Sequence, residues 1–501
     1  MSTVPELRIR AVADQPVRDD GEFVVYWMIA QRRRRANFAL QRATWWCKQL
    51  GRPLLVLEAL RCGYRWASDR LHRFVLDGMR DHQGDFADSG ATYHPYVEPE
   101  AGAGKGLLQA LGERASVVVT DEFPCFFLPR MVDAAAARLP VRLEAVDGNG
   151  LLPLRAADRT FLRAVDFRRF LQKELRPHLA QFPVGDPLRR DLPDPVPVPK
   201  DIAARWPRAA AALLDGDREA LAALPIDHEV GPAPGVRGGP IAGGPIAGGA
   251  ALRAFLADKL DRYDERNQPD AAAESGLSPY LHFGHIGSHQ VFAGLAKLRG
   301  WTPDRITGKR DGARGWYGLD DAAEGFLDQL VTWRELGYNM SSRSADYGDY
   351  ASLPEWARES LEQHAHDARA HVYSLDELAA AATHDEVWNA AQRQLRDTGV
   401  LHNYLRMLWG KKVLEWTRHP EEAWGILVEL NNRYALDGRN PNSYSGIGWV
   451  FGRYDRPWAP EREIFGRIRY MTSQSTQRKL RLKGYLARFG ADGAGGGVAP
   501  D

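Results

Sequence analysis

The pattern of apolar and polar positions divides the chain into two unlike parts. In the first part, short apolar runs alternate with stretches that repeat apolar residues at helical spacing. The short runs are residues 23–28, 53–58, 116–120 and 141–146, and the helical stretches are residues 31–49, 69–80 and 127–138. Strands that alternate with helices at this spacing imply right-handed crossovers and a doubly wound parallel sheet. We therefore predict an α/β domain over residues 20–150.

Strand signals disappear after residue 250, and long helical patterns replace them. Helices are predicted at residues 251–262, 289–298, 324–338, 353–366, 374–382, 388–397, 401–417 and 420–434. These stretches carry apolar residues on more than one face, as expected for helices inside a large bundle. We predict an all-α domain over residues 251–490.

The segment between the two parts, residues 151–250, has a mixed character. One helix is predicted at residues 157–176, and a Pro-rich stretch follows at residues 191–200. Residues 231–249 are dominated by Gly, Pro and Ala and contain Gly-Gly-Pro-Ile-Ala twice. Because five residues cannot bury a face, we interpret this stretch as a flexible linker rather than a structural repeat. The whole segment is predicted to connect the two domains.

Charge and cysteine content narrow the classes of function. The chain has 66 basic and 65 acidic residues, so contact with nucleic acid must come from local clustering. Such a cluster lies in residues 451–490, which hold ten Lys or Arg and three acidic residues. Three cysteines without metal-ligand spacing argue for a reducing compartment and against a disulfide framework or metal site. Since no apolar run is long enough to span a membrane and no signal peptide is evident, we predict a cytoplasmic protein.

The run from Arg32 to Arg35 opens the first helical stretch. It is either a solvated first helical turn or an anion-binding patch. In a doubly wound sheet, a ligand binds at the carboxyl edge of the strands, which lies beside this run. No Gly-x-Gly-x-x-Gly motif follows the first strand, so a dinucleotide in this half is unsupported.

A second candidate ligand site is the serine-rich turn at residues 274–284. Ser275 and Ser278 flank Gly276 and Leu277 and precede a proline. Backbone N–H groups and hydroxyls in such a turn can face one anion, such as a pyrophosphate. A helix N-cap without any ligand is the alternative.

The chain is rich in tryptophan, with 15 residues of this type. Large aromatic cores explain such a number, and so does a protein that holds a chromophore or stacks on bases. Trp409 and Trp416 are seven residues apart in a helical stretch, which places them on one face about 10 Å apart. That separation suits electron hopping, while ordinary core packing is the alternative.

Longer motifs connect these features to a known family. The relevant segments are residues 263–269 (Tyr-Asp-Glu-Arg-Asn-Gln-Pro), 274–284 (Glu-Ser-Gly-Leu-Ser-Pro-Tyr-Leu-His-Phe-Gly), 388–392 (Trp-Asn-Ala-Ala-Gln), 404–412 (Tyr-Leu-Arg-Met-Leu-Trp-Gly-Lys-Lys), 414–416 (Leu-Glu-Trp), 431–442 (Asn-Asn-Arg-Tyr-Ala-Leu-Asp-Gly-Arg-Asn-Pro-Asn) and 465–470 (Phe-Gly-Arg-Ile-Arg-Tyr). Together they resemble the flavin-binding and DNA-binding region of class II cyclobutane pyrimidine dimer photolyases, in the photolyase/cryptochrome family. The resemblance is strong over residues 251–485 and weak over residues 20–190.

The resemblance implies FAD in the helical domain and a second, antenna chromophore of deazaflavin or folate type in the α/β domain. Its implied partner is double-stranded DNA that contains a pyrimidine dimer, bound by a monomeric protein that associates with the nucleoid. The implied reaction is light-driven: excited, fully reduced FAD gives an electron to a flipped-out dimer, the ring splits, and the electron returns.

Specific residues are carried over by position. Those expected to bind FAD are Tyr263, Ser275, Gly276, Leu277, Ser278, Arg334, Arg406, Asn431 and Asp437. Three tryptophans are expected to photoreduce the flavin, with Trp409 nearest to it, Trp388 intermediate and Trp416 at an exposed end. Those expected to contact the lesion or the DNA backbone are Trp333, Met407, Trp449, Arg453, Arg456 and Arg469.

One departure from the family pattern concerns catalysis. Residues 326–330 normally contain two glutamates, and the second, which hydrogen-bonds the pyrimidine carbonyl, is Gln329 in this chain. An amide can donate a hydrogen bond but cannot act as a protonated acid. Asp328 lies about 100° away round a helix and is one methylene shorter, so it is a poor substitute. Besides repair, the sequence therefore leaves open a cryptochrome-like blue-light sensor and a non-photochemical nucleic-acid-binding protein.

Overall fold

The apolar runs of the first part form one six-stranded sheet in the computed structural model, which describes residues 3–189, 192–234, 241–308 and 312–491. The strands are β1 Ile9–Ala13, β2 Phe23–Met28, β3 Leu54–Leu60, β4 Ala91–Val97, β5 Ala115–Glu122 and β6 Leu143–Asp147. Their order across the sheet is β1-β6-β5-β2-β3-β4. All neighbours pair in parallel except β1, which runs antiparallel to β6. The predicted α/β fold is confirmed.

Two strands escaped the sequence prediction, and both lie at an edge of the sheet. The first, β1, precedes residue 20 and carries the partly exposed Arg10. The last, β4, includes His94 and Pro95 within its seven residues. Proline is tolerated in an edge strand because no neighbour needs its missing N–H group. Neither strand has the continuous apolar run that marks the interior of a parallel sheet.

The central strand β2 shows how the sheet is buried on both faces. Phe23, Val25 and Trp27 belong to one hydrophobic cluster, and the alternate residues belong to another on the opposite face. The chain continues from β2 through β3 to β4 on one side and returns through β5 to β6 on the other. Strand order therefore reverses between β2 and β5, where a crevice forms at the carboxyl ends of the strands.

The helices of the first part and the connection begin and end as follows: α1 Phe38–Leu50, α2 Asp69–Ala87, α3 Leu107–Gly112, α4 Leu128–Ala136, α5 Ala164–Glu174, α6 Lys200–Arg205, α7 Ala211–Asp215 and α8 Arg218–Ala222. Helix α1 starts seven residues later than predicted because the Asn37 side chain accepts hydrogen bonds from the N–H groups of Ala39 and Leu40. The arginine run therefore lies in the preceding loop, and its interpretation as a helical turn was wrong. Arg34 is neutralised there by Asp186 at 2.8 Å.

The second part is helical, as predicted. Its α-helices are α9 Gly244–Ala254, α10 Ser278–His282, α11 Ser288–Leu298, α12 Asp321–Leu327, α13 Arg334–Arg343, α14 Glu355–Gln363, α15 Leu375–Ala379, α16 Glu386–Thr398, α17 Asn403–Glu415, α18 Pro420–Tyr434, α19 Pro441–Val450, α20 Ser473–Lys479 and α21 Lys483–Phe489. Between α12 and α13 the chain forms a π-helical segment, Asp328–Trp333, that carries two predicted site residues. Such segments are frequent at functional sites.

The predicted flexible linker is partly wrong. Residues 235–240 lie outside the described residues, but helix α9 already begins at Gly244 and packs against α2. A Cβ atom on Gly243 would lie 1.8 Å from the Phe74 carbonyl oxygen, and one on Gly244 would lie 2.3 Å from the Asp81 carboxylate. These glycines therefore permit a close approach of two helices, which is a packing role and not a source of flexibility.

The two parts are joined by buried polar contacts as well as by a shared hydrophobic cluster. The Glu335 carboxylate accepts hydrogen bonds from the N–H groups of Leu151 at 2.7 Å and Leu152 at 3.0 Å. Arg33 donates to the Gly284 carbonyl oxygen at 3.0 Å. The largest cluster contains residues of both parts, including Phe74 and Phe283. These contacts hold the carboxyl edge of the sheet against the helical part.

Candidate active site

The three predicted relay tryptophans lie together: Trp388 is on α16, Trp409 is on α17 and Trp416 directly follows α17. The Trp388 indole N–H donates to the Trp409 carbonyl oxygen at 2.9 Å, and the rings of Trp388 and Trp416 are 5.6 Å apart between centroids. Trp388 thus contacts both of the others. These contacts place Trp388 between the other two, and the order of electron transfer stays a prediction. Gln392, which received no role from the sequence, accepts from the Trp409 indole N–H at 2.9 Å.

The predicted exposure of Trp416 is wrong. Its relative exposure is only 2%. The segment before α15 folds over it, and the Tyr373 N–H donates to the Trp416 carbonyl oxygen at 3.1 Å. The rings of Tyr373 and His384 then cover the indole at centroid distances of 5.4 and 5.3 Å. This cover comes from residues that precede Trp416 by 32 to 43 positions, so helical spacing did not predict it.

A polar cluster lies one turn before Trp409. Arg406 donates to the Asn431 side-chain oxygen at 2.8 Å, and its guanidinium is 3.8 Å from the Asp437 carboxylate. Asn431 is buried, whereas Arg406 and Asp437 are half-buried. The Asn431 amide nitrogen donates to Asn432 at 3.2 Å, and Asn432 donates in turn to the Tyr444 hydroxyl at 3.1 Å. Sequence reasoning had assigned no role to these last two residues, which hold the predicted amide in place.

The serine-rich turn lies against the start of the same helix. The Glu274 carboxylate accepts from the Asn403 N–H at 3.2 Å, at the beginning of α17. Gly276 adopts a left-handed conformation, with φ of 67°, and open space where a side chain would be. Ser278 and Gly276 are exposed, and Ser275 accepts from the Leu277 N–H at 3.4 Å.

Tyr263 is buried next to Phe255 and Phe326, with ring centroids at 5.9 and 5.2 Å. Burial raises the pKa of its phenol, so the group remains a neutral hydrogen-bond donor. Hydroxyls at the turn and a guanidinium beside a buried amide form the donor set that a dinucleotide phosphate and a polar ring require. The residues present therefore fit FAD: residues 275–278 would hold its phosphates, and Arg406 and Asn431 would lie beside the flavin ring.

Arg334 was predicted to belong to this group but has other partners. Its guanidinium donates to the Asn149 carbonyl oxygen and to the Tyr338 hydroxyl, at 2.6 and 3.1 Å. It also lies over the Tyr338 ring, 4.4 Å from the centroid. These contacts join α13 to the loop after β6. Arg334 thus connects the two parts of the protein, and its contact with FAD stays a prediction.

An aromatic pair marks the candidate lesion pocket. The rings of Trp333 and Trp449 are 5.6 Å apart at an interplanar angle of 36°, and both residues are half-buried. The Trp333 indole N–H donates to Asp328 at 3.1 Å, and Arg168 pairs with the same carboxylate at 3.0 Å. Asp328 is thus occupied in orienting Trp333, which is a further reason why it does not replace the missing glutamate. Gln329 follows it and is half-buried.

The late basic cluster divides into buried and exposed members. Arg453, predicted to contact DNA, has no exposure and donates to the carbonyl oxygens of Tyr444 and Tyr347 at 3.3 and 3.1 Å. It is a core residue, and that prediction was wrong. Arg456 and Arg469 are exposed, as a phosphate contact requires. Their guanidinium carbons lie 5.3 and 5.2 Å from the Trp458 ring centroid.

A cavity of about 410 Å³ lies at the carboxyl edge of the sheet. Its walls are mainly apolar and include Trp27 at the end of β2 and Phe123 after β5. Arg61, Lys105 and Arg138 supply exposed positive charge at its boundary. From the helical part, the lining includes His282, Phe283 and Arg439. Burial, assisted by Arg439, Arg32 and Arg334, holds the pKa of His282 well below its usual range.

Among the described residues, no group of His, Cys, Asp and Glu side chains is arranged to hold a metal ion. The three cysteines are unpaired and buried. Over the same described part of the chain, no helix has both the length and the apolar character needed to cross a membrane.

Comparison with known proteins gives the class and then the family. The fold matches a class III photolyase from Agrobacterium tumefaciens (TM-score 0.65, 17% identity, 94% of this chain and 86% of that one). It also matches a cryptochrome from Synechocystis (TM-score 0.59, 14% identity, 93% and 88%). A mostly parallel sheet followed by a helical part with buried tryptophans is thus the photolyase/cryptochrome architecture. No protein-family model matches the chain.

Sequence relatives define the family more closely. Proteins named deoxyribodipyrimidine photo-lyase are 35% identical in Methanothermobacter thermautotrophicus, over 96% of this chain and 98% of that protein. Those of Oryza sativa and Arabidopsis thaliana are each 32% identical, over 93% and 94% of this chain and 87% and 90% of their own. The chain belongs to the deoxyribodipyrimidine photo-lyase family, a family of FAD-binding lyases. Membership of class II remains a prediction.

Proposed function

We propose that this protein repairs cyclobutane pyrimidine dimers in double-stranded DNA, using blue light and reduced FAD. The observation that carries the proposal is the sequence of contacts along α17. Arg406 on this helix contacts Asn431 and Asp437, and Trp409 one turn later contacts Trp388, so the residues proposed to bind the flavin and to reduce it are neighbours. When bound, FAD would supply the light-excited electron donor to the dimer.

The protein's own residues would bind, orient and protect the reactants. Asn431 presents a neutral amide that can hydrogen-bond a ring nitrogen in either protonation state. The Arg406 and Asp437 pair would fix the electrostatic environment of the reduced ring. The aromatic pair Trp333 and Trp449 would receive a dimer flipped out of the duplex.

Contacts to the DNA backbone would come from the exposed members of the basic cluster. Arg456 and Arg469 carry charge into solvent and are steadied by Trp458 between them. The aromatic pair and these arginines favour repair over a light-sensing role, which needs neither.

Gln329 favours the second candidate, a cryptochrome-like sensor that binds FAD and repairs DNA weakly or not at all. In the repair mechanism, a group at this position would hydrogen-bond the pyrimidine carbonyl as negative charge develops there. A glutamine amide supplies that hydrogen bond without a transferable proton. We therefore expect repair that is slower than in a Gln329→Glu variant.

The decisive test is repair of a thymine-dimer oligonucleotide by the reduced protein under blue light. We expect repair by the parent and faster repair by Gln329→Glu. Gln363→Glu, at the exposed end of α14, is a matched control that should leave the rate unchanged. Dark reactions and undamaged DNA define the background. Absence of repair in both the parent and Gln329→Glu, with FAD bound and photoreducible, would reject repair in favour of the sensor.

For the cavity at the sheet edge, we propose an antenna chromophore with a flat aromatic ring and an anionic tail, of deazaflavin or folate type. The apolar walls suit the ring, and the arginines and lysine at the boundary suit the tail. Ala135→Trp would fill the cavity from its wall, whereas Ala222→Trp is an exposed control on α8. Only the first change should remove chromophore absorption, while FAD binding stays intact. Equal chromophore content in both variants would contradict this assignment.

A further inference from the structure

We propose that Arg439 is a positioning residue shared by the sheet-edge cavity and the flavin site, so that the ligands of these two sites bind with positive cooperativity. The inference rests on the proposed FAD site and the proposed antenna site, and it adds a physical connection between them. That connection is the loop of residues 435–440, which joins α18 to α19.

This loop borders both candidate sites. Asp437 lies 3.8 Å from the Arg406 guanidinium, in the polar cluster proposed to contact the flavin ring. Two residues later, Arg439 lines the cavity at the carboxyl edge of the sheet. The Asn440 side chain then donates to the ring of His282, another residue of the cavity lining, at 3.0 Å. One short segment therefore carries residues of both sites.

Hydrogen bonds lead from Arg439 to the amide that is proposed to face the flavin. The Arg439 backbone N–H donates to the Asn432 side-chain oxygen at 2.7 Å, and the Arg439 guanidinium donates to the Asn432 carbonyl oxygen. The same side-chain oxygen accepts from the Asn431 amide nitrogen at 3.2 Å. Arg439 thus holds Asn432 at two points, and Asn432 holds Asn431.

A second set of contacts reaches Asn432 from another wall of the cavity. Phe126 lines the cavity, and its backbone N–H donates to the Tyr347 hydroxyl at 2.7 Å. The Tyr347 ring meets the Tyr444 ring edge-on, at 5.1 Å between centroids. The Tyr444 hydroxyl accepts from the Asn432 amide nitrogen at 3.1 Å. Two walls of the cavity are therefore connected to one buried amide side chain.

The backbone of Arg439 makes this loop sensitive to its surroundings. Its φ of 58° is a left-handed conformation, which is unfavourable for a residue that has a Cβ atom. Such a conformation persists only where surrounding contacts fix it, and it is found most often at functional sites. Contacts on either side of the loop therefore stabilise the same strained residue.

The charge of Arg439 points to the kind of ligand that the cavity wall would accept. The side chain is buried, and its guanidinium donates to the carbonyl oxygens of Ala435 and Leu436 at 3.4 and 3.2 Å. These acceptors are uncharged peptide groups. Burial lowers the pKa of Arg439, because a cation is less stable away from water. An anionic group against this wall would supply a countercharge that peptide groups do not.

Cooperativity follows from the shared loop. In one site, Arg439 would gain a countercharge from the cavity ligand, which stabilises the backbone that donates to Asn432. In the other site, Asp437 and Asn431 would hold the same loop beside the flavin ring. A ligand that meets a loop already fixed loses less conformational entropy on binding. Each ligand should therefore raise the affinity for the other, and by the same factor.

The test is the dissociation constant of FAD for the flavin-free full chain, measured with and without a cavity probe. Hydroxy-deazariboflavin and methenyltetrahydrofolate are the two probes, each used separately. We define the coupling factor as the ratio of the FAD dissociation constants without and with saturating probe. In the parent we expect a factor of about five or more, and the same factor for probe binding with saturating FAD. Hydrogen exchange of the backbone amides at residues 435–440, followed by mass spectrometry, should slow with either ligand.

Three variants separate the connection from direct contact with a ligand. Arg439→Lys keeps a cation but loses the guanidinium contacts, and it should weaken FAD binding and bring the coupling factor to about one. Tyr444→Phe keeps the ring and removes only the hydroxyl that accepts from Asn432, so it should fold and lower the factor part of the way. Arg138→Gln removes an exposed charge at the cavity boundary. This last variant should weaken probe binding and leave the coupling factor unchanged.

The outcomes distinguish the connection from the two sites that it joins. A coupling factor of one in the parent, with both ligands able to bind, would overturn the connection and leave both sites in place. A parental factor in both Arg439→Lys and Tyr444→Phe would also overturn it, because another segment would then couple the sites. Failure of both probes to bind the parent would reject the antenna site and the cooperativity with it. Failure of FAD to bind would reject the flavin site instead.

Discussion

The carboxyl edge of the sheet and the polar cluster on α17 are two candidate binding regions built in opposite ways. The lining of the sheet-edge cavity comes from strand ends, loops and a helix that are far apart in sequence, such as Trp27, Phe123 and His282. The polar cluster comes from Arg406, Asn431 and Asp437, in which the Arg406 side chain contacts both of the others directly. The first region is a space enclosed by packing, whereas the second is a set of mutual hydrogen bonds and charges. Variants that remove one group at a time sharpen this contrast.

The largest change in the free energy of unfolding is expected from Glu58→Gln, at the sheet edge. Glu58 lies on β3 with no exposure. Its carboxylate accepts from the Tyr93 hydroxyl at 2.6 Å and pairs with His82 at 2.8 Å and with Arg32 at 3.4 Å. Loss of one partner from such a buried set should lower the free energy of unfolding by about 3–5 kcal/mol, measured by urea unfolding. Glu100→Gln, an exposed control, should change it little.

This effect should depend on pH. Burial alone would raise the pKa of Glu58, but His82, Arg32 and Tyr93 together hold it below the ordinary value of 4.5. The contribution of the charged group is therefore complete above that value and is lost as pH falls through the lowered pKa. The parent and Glu58→Gln should converge in stability at acid pH. A difference that grows on acidification would show that the network does not favour the charged form.

The second effect concerns Glu335, a buried carboxyl group of the helical part with the opposite pH dependence. Burial raises its pKa to about 7, against the N–H groups of Leu151 and Leu152 and the charges of Arg334 and Arg8. Stability is then complete below pH 4.5 and falls as pH rises through 7, by up to about 3 kcal/mol.

Glu335→Gln should remove this slope, because an amide does not titrate, while losing one backbone acceptor at a cost of about 1–3 kcal/mol. Urea unfolding at pH 5 and pH 8 measures both quantities. An equal pH slope in the parent and the variant would mean that another group is responsible.

The third effect tests the polar cluster directly. Arg406→Gln leaves Asn431 and Asp437 in place but removes the cation, and we expect FAD affinity to fall by about 2 kcal/mol, roughly thirtyfold. Arg396→Gln, where the arginine is half-buried and paired with Asp397 at 2.9 Å, is the matched control. Fluorescence titration of flavin measures both. Unchanged FAD affinity in Arg406→Gln would show that the polar cluster does not contact the flavin.

The smallest change in stability is expected from a substitution in the basic cluster. Arg469→Ala should leave the free energy of unfolding within about 0.5 kcal/mol and reduce the salt dependence of DNA binding by about one phosphate contact. Arg453→Ala, in contrast, should destabilise the fold, since three acceptors lose a buried donor. A DNA-binding titration over a series of salt concentrations separates the two. An unchanged salt dependence of DNA binding in Arg469→Ala would show that Arg469 does not contact DNA phosphates.

The sequence by itself determined the class of fold and pointed to the residues that the structure brings together around α17. Buried parallel strands read as continuous apolar runs, and helices such as Pro420–Tyr434 keep one spacing throughout, so local pattern located them. The tryptophans and the residues of the polar cluster lie within 50 residues, on successive helices. Their mutual contacts follow from helical geometry and the packing of neighbouring helices.

Only the tertiary structure decided which of these residues face solvent and which spaces stay open. Trp416 is covered by Tyr373, and Arg453 is enclosed by Tyr347 and Tyr444. These are tertiary contacts, which the local sequence pattern does not predict. The cavity likewise depends on where separate strand ends meet the helical part. Exposure and volume are properties of the whole packed chain, because burial depends on what lies opposite a residue and not on its own neighbours in sequence.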